Sequence, residues 1–104
     1  MRTELITERD DLVIRRAILE PGEATPWHVD PCRRFAVVVR GDGLTLEFRD
    51  DGATLDIEVR PGQAGWDEPE PRVHRALNTG SQPFEEVVTF YLTAPGADPQ
   101  PEYP

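Results

Sequence analysis

An all-β fold, either a sandwich or a barrel with little helix, is predicted by three features of the 104-residue sequence. Turn signals made of Gly, Pro, Asp and Ser recur about every 8 to 12 residues, the spacing typical of such folds. The segments between them are short and rich in β-branched and aromatic residues, which favour strands. No window of about 11 residues or more shows the apolar period of a capped helix.

The turn signals divide the chain into predicted strands, taken here in chain order. These strands cover 12–19, 35–40, 44–49, 53–60, 73–78 and 85–92. The clearest pair flanks Asp51-Gly52, because apolar and polar residues alternate on both sides of this dipeptide. Such alternation indicates strands with one buried and one solvated face, and Asp-Gly between them predicts a tight hairpin.

The length of the chain fits a single domain. We expect an N-terminal segment at 1–11, a barrel at 12–93 and a Pro-rich extended tail at 94–104. The tail contains four of the eleven prolines and almost no core-forming side chains. It is therefore expected to lie outside the barrel.

Composition limits the partners and the compartment of the protein. A formal net charge of -9 argues against binding to nucleic acid or to an anionic membrane surface. The single cysteine, Cys32, cannot form an internal disulfide, and residues 1–11 lack the apolar stretch of a signal peptide. No apolar run approaches the length of a membrane span. These features predict a cytoplasmic protein.

Two short motifs contain both histidines of the chain. In the first motif, Gly22 is followed by five residues and then by His28-Val29-Asp30. Six residues separate Arg34 from Gly41 at the end of this motif.

The second motif begins with Pro69-Glu70-Pro71 and contains His74, with Asn78 four positions later. Together, and on an all-β background, the two motifs resemble those of the cupin superfamily. The resemblance spans about residues 12–92 and implies a cupin-type jelly-roll β-barrel. The sequence departs from the family pattern at Asp30, Arg34 and Pro71.

In the cupin superfamily, a His-x-His pair, a Glu and a second-motif His converge on a divalent metal. The matching positions of this chain are His28, Asp30, Arg34 and His74. The resemblance therefore implies a metal site formed by His28, Asp30 and His74, with Fe, Mn, Ni or Zn as the candidate cofactor. Two imidazoles and one carboxylate form the facial triad of non-haem iron oxygenases. Strand geometry agrees, since residues i and i+2 point to the same face.

In an alternative interpretation, the site binds no metal. The guanidinium of Arg34 would point into the same pocket and could form a bidentate ion pair with Asp30. Such a pair would occupy the carboxylate and place positive charge where a cation should bind. In either case Arg34 could hold a carboxylate or phosphate group of a ligand.

Other residues near the motifs allow two interpretations each. Trp27 and Trp66 could line the pocket mouth and bind substrate by stacking, or they could be core or dimer contacts. Three acidic residues before the second motif could supply another carboxylate ligand or form a solvated loop: Asp67, Glu68 and Glu70. Cys32 has no paired base and is interpreted as a semi-buried bystander.

Two functions are consistent with the resemblance. The first is a divalent-metal-dependent enzyme, of oxygenase or isomerase type, that acts on a small anionic organic molecule. The alternative is a non-catalytic, metal-free small-molecule-binding cupin in which Arg34 clamps the anion. A homodimer is expected, because a barrel with open sheet edges has a physical reason to pair.

Overall fold

Nine strands and no helix form the computed structural model, which describes residues 1–104. The prediction of an all-β fold with little helix is therefore confirmed. The strands are β1 Arg2–Arg9, β2 Leu12–Leu19, β3 His28–Asp30, β4 Arg34–Arg40, β5 Leu44–Phe48, β6 Thr54–Ile57, β7 Ala64–Asp67, β8 Glu70–Leu77 and β9 Phe84–Tyr91. A helix that could cross a membrane is absent.

The strands form two antiparallel sheets. The five-stranded sheet has the order β1-β2-β9-β4-β7, and the four-stranded sheet has the order β3-β8-β5-β6. All six strands predicted from the sequence are present with similar bounds. The predicted hairpin joins β5 to β6, with Leu46 opposite Leu55 and Gly52 at a φ of 72° in its turn. Strand β6 is shorter than predicted and ends at Ile57.

Three strands, β1, β3 and β7, were not predicted. Strand β1 pairs with β2 along its whole length, from Arg2 opposite Ile18 to Arg9 opposite Leu12. Every residue of β1 and β7 is exposed, so neither strand has the apolar side that would reveal it. The segment 1–11 is therefore part of the five-stranded sheet.

The tail 94–104 packs against the edge of the four-stranded sheet. The Val29 amide donates to the Pro101 carbonyl at 3.1 Å, and the Tyr103 amide donates to the Trp27 carbonyl at 2.8 Å. Pro99, which precedes these contacts, is buried. The tail turns at Pro95-Gly96, and residues 101–103 then lie beside β3 at the edge of the four-stranded sheet.

The space between the sheets is only partly filled. One apolar cluster contains Leu19, Val59 and Phe84, and a second contains Cys32, Val88 and Phe90. Between the sheets lies a cavity of about 410 Å³. Side chains from both sheets line this cavity, so residues far apart in sequence can act on one ligand.

Candidate metal and anion site

The two neighbouring strands β3 and β8 carry the histidines of the candidate site. His28 lies directly opposite His74 in the antiparallel register, and the centroids of their rings are 4.6 Å apart. A register irregularity follows between His28 and Asp30. His28, Asp30 and His74 are nevertheless all buried, with 6%, 3% and 5% exposure.

One carboxylate oxygen is the centre of this cluster. Asp30 Oδ2 is 2.8 Å from His74 Nε2 and 3.5 Å from His28 Nε2. One potential ligand atom from each of the three residues lies within 4.8 Å of the other two. The structure therefore brings together the three side chains that the sequence predicts as metal ligands.

Backbone carbonyls fix the orientation of both imidazoles. His28 Nδ1 donates to the Pro26 carbonyl and His74 Nδ1 donates to the Arg72 carbonyl, each at 2.8 Å. A hydrogen bond of this kind directs Nε2 of each ring at Asp30, and a metal at the site would take the Nε2 lone pair in place of the hydrogen bond to Asp30. Two Nε2 atoms and one carboxylate oxygen are a donor set that suits Fe, Mn, Ni or Zn.

Arg34, at the start of β4, reaches the same carboxylate from the facing sheet. Its Nη1 atom is 3.3 Å from Asp30 Oδ2. Nη1 is buried without a hydrogen-bond partner, and the rest of the guanidinium makes no hydrogen bond within the protein. Arg34 also lines the cavity, so most of its donors are available to a bound molecule.

The cluster holds Asp30 in its ionised form. Burial alone would raise the pKa of this carboxyl, but hydrogen bonds with His28, His74 and Gln100 and the charge of Arg34 keep the pKa far below its usual range. Burial lowers the pKa of His74, yet the bonds to Asp30 and to the Arg72 carbonyl raise it overall. The site is thus a pre-formed group of opposite charges.

Two residues that sequence reasoning missed also face this region. Gln100, in the tail, donates through Nε2 to Asp30 Oδ1 at 2.9 Å. Glu86, on β9, lines the cavity without a hydrogen-bond or salt-bridge partner. Burial, with the nearby charge of Asp67, raises the pKa of Glu86 to about 7. Neither residue belongs to a motif, and a carboxylate at a core-facing position of β9 was the only available signal.

The structure places the two tryptophans differently. Trp66 lines the cavity but is 58% exposed, and its ring packs against Phe35 and Tyr91. Trp27 is not among the cavity-lining residues. Its ring lies 4.4 Å from the guanidinium carbon of Arg75. Trp66 lies directly opposite Phe35 in the strand register, so its ring shares the outer face of the sheet with Phe35 and Tyr91.

The acidic residues before the second motif do not join the metal cluster. Asp67 lines the cavity, whereas Glu68 forms an exposed ion pair with Arg33 at 3.2 Å. Glu70 lies opposite Asp30 in the strand register but does not line the cavity. Cys32 is buried, and burial raises the pKa of its thiol, which agrees with its interpretation as a bystander.

The fold is shared with solved structures. A cupin domain from Bordetella pertussis Tohama I superposes with a TM-score of 0.77 and 18% identity, covering 88% of this chain and 93% of that chain. The chain has the cupin fold. A double-stranded β-helix protein from Klebsiella pneumoniae gives a TM-score of 0.70 and 22% identity, covering 99% and 84% of the two chains.

A third cupin-like neighbour is an enzyme. The polyketide cyclase of Streptomyces resistomycificus superposes with a TM-score of 0.66 and 20% identity, covering 96% of this chain and 68% of the cyclase. No protein-family model matches the sequence, and no curated protein matches it. At these identities the similarity establishes the cupin fold and leaves the reaction to be argued from the site.

Proposed function

We propose that this cupin is a divalent-metal-dependent enzyme, of oxygenase or isomerase type, that acts on a small organic anion. The observation that carries the proposal is the common orientation of the His28 and His74 Nε2 atoms toward Asp30 Oδ2. Both rings are anchored through Nδ1, so this orientation is built into β3 and β8. A metal held there would supply a Lewis acid with open coordination positions.

Arg34 supports an anionic substrate. Its guanidinium is mostly buried, contacts Asp30 from the cavity side and has donors without protein partners. A buried cation of this kind is stabilised by a ligand carboxylate, which would accept the free N–H groups. The charge of Asp30 offsets that of Arg34, so a divalent cation bound by Asp30 would add positive charge beside Arg34 and favour a bound anion.

The cavity suits a small and largely apolar molecule. Its volume of about 410 Å³ lies within the usual range for small-molecule sites. Apolar side chains from both sheets form its walls beyond the polar cluster, including Val38, Leu46, Phe84 and Val88. We therefore expect an organic acid with an apolar body, held by Arg34 at its acid group.

A second candidate function is metal-free binding of the same class of anion. The contact between Arg34 and Asp30 favours it, because the ion pair at 3.3 Å places positive charge beside the carboxylate. In that case Asp30 orients Arg34, and both histidines serve only to bury the pair. The two candidates share the anion and differ in metal content.

Metal binding is tested by equilibrium dialysis of tag-free protein against Fe(II), Mn, Ni or Zn, followed by elemental analysis. We expect about one ion per wild-type chain and large losses in His74→Ala and Asp30→Asn. Glu68→Gln is the matched control, since Glu68 lies outside the cluster and should leave the metal content unchanged. Absence of metal from the wild type under all four conditions would select the metal-free candidate.

Anion binding is tested separately with Arg34→Met, which keeps the size of the side chain and removes its charge. We expect the affinity for simple carboxylates such as benzoate or succinate to fall about 10- to 100-fold, as for a lost charged hydrogen bond. Arg33→Met is the control, because Arg33 is exposed and pairs with Glu68. Equal affinities in the two variants would contradict the assignment of Arg34.

A further inference from the structure

We propose that Gln100 is a positioning residue for Asp30, held in place by the tail that pairs with β3. The inference rests on the proposed metal site. Gln100 lies in the tail 94–104, which contains no part of the two sequence motifs.

The contact itself has only one reasonable polarity. A carboxylate oxygen accepts hydrogen bonds, so the amide nitrogen of Gln100 faces Asp30 Oδ1. The distance from Gln100 Nε2 to Asp30 Oδ1 is 2.9 Å. The other oxygen, Oδ2, receives the contacts from His28, His74 and Arg34.

The two oxygens of the Asp30 carboxylate therefore have different partners. With Oδ1 engaged by the amide, only Oδ2 is directed at the histidines. Oδ2 is thus the oxygen that Asp30 would offer to a metal held by the two histidines. Loss of the Gln100 amide would free the carboxylate to rotate.

The tail holds the amide at this position. Residues 101–103 form an edge partner for β3, with Glu102 bridged to His28. Strand β3 has only three residues, and β8 pairs with its other edge. The backbone N–H of Gln100 donates to Asp98 Oδ1 at 2.9 Å, which fixes the turn before residues 101–103.

The test compares Gln100→Leu with wild-type protein in competitive titrations of cobalt(II). Leucine keeps the size of the side chain and removes the donor. We expect a 10- to 100-fold weaker affinity, as for loss of other outer contacts to metal ligands, and a changed cobalt absorption spectrum. Gln82→Ala is the control, since the Gln82 side chain is exposed and away from the site.

Amide hydrogen exchange shows whether Gln100→Leu keeps the pairing of residues 101–103 with β3. We expect the Val29 and Tyr103 amides to stay protected, so the loss of affinity comes from the side chain alone. Equal cobalt affinity and spectrum in Gln100→Leu and wild type would overturn the role of Gln100 and leave the metal site intact. Failure of the wild type to bind cobalt would overturn the metal site, and with it the role of Gln100.

Discussion

Two carboxylates of the cavity, Asp30 and Glu86, differ in how far their negative charge is compensated by neighbouring groups. Asp30 is buried but is surrounded by His28, His74, Arg34 and Gln100, so its charge is compensated. Glu86 is different, because no donor contacts it and its neighbours on the cavity side of β9, Phe84 and Val88, are apolar. A carboxylate without partners in such a place is costly when ionised.

We predict that the cost of ionising Glu86 makes stability depend on pH. Burial, first, and the charges of Asp67 and Asp30 raise its pKa from 4.5 to about 7, against the opposite effect of Arg34. The folded state therefore holds a proton that the unfolded chain releases above pH 4.5. The free energy of unfolding should fall by about 3 kcal/mol as the pH rises from 4.5 to 7 through this group.

Glu86→Gln should remove this dependence. Urea unfolding is expected to show a gain of up to about 3 kcal/mol over wild type at pH 8 and little change at pH 4.5. Glu8→Gln, on the exposed strand β1, removes the same charge and should change stability little at either pH. A Glu86→Gln variant that is less stable than wild type at pH 8 would show that the ionised carboxylate does not lower the free energy of unfolding.

At the level of elements, the ends of strands are joined by side chains as well as by turns. Asn78, directly after β8, is 1% exposed. Its Nδ2 donates to the carbonyls of Leu19 and Gln82, each at 2.9 Å, and its Oδ1 accepts from the Gly80 amide at 2.9 Å. One side chain thus ties the end of β2 to the turn before β9.

We predict that Asn78→Ala destabilises the fold strongly. The change leaves two carbonyls and one amide without partners, and we expect a loss of about 2 to 4 kcal/mol in urea unfolding. Thr79→Ala removes one exposed hydroxyl contact to Thr45 and should cost less than about 1 kcal/mol. Similar losses in both variants would contradict the role of Asn78.

For the whole molecule, one part of the outer face of the five-stranded sheet is apolar and exposed. Phe35 and Val37 on β4 alternate with cavity-facing residues and therefore point outward, as do Trp66 and Tyr91, which are their neighbours on this face. Val37, Val39, Trp66 and Tyr91 are between 37% and 58% exposed. A contiguous patch of this kind is uncommon on monomers and marks contact surfaces.

We propose that this outer face joins two copies of the chain as a homodimer. Sedimentation should give twice the chain mass of 11.7 kDa for wild type, and Val37→Glu should give a monomer because it buries a charge in the contact. Leu55→Glu is the matched control, since Leu55 is 52% exposed on the four-stranded sheet. A monomeric wild type, or equal dissociation in both variants, would contradict the proposal.

The sequence by itself determined the features that depend on neighbours along the chain. Alternation around Asp51-Gly52 predicted the β5–β6 hairpin, since side chains of a strand alternate whatever the strand packs against. The same geometry predicted that His28 and Asp30 share a face, and motif spacing added His74. The exposed strands β1 and β7 escaped prediction because a strand without a buried face carries no such pattern.

Only the tertiary structure decided which groups meet across the barrel. The pairing of Gln100 with Asp30 joins positions 70 residues apart, and it depends on the tail lying along β3. The raised pKa of Glu86 depends on a cavity that neither sheet forms alone. The Gln100–Asp30 contact and the raised pKa of Glu86 both follow from sheet order and register. These are set by the packing of the whole chain and cannot be deduced from the residues that are neighbours in sequence.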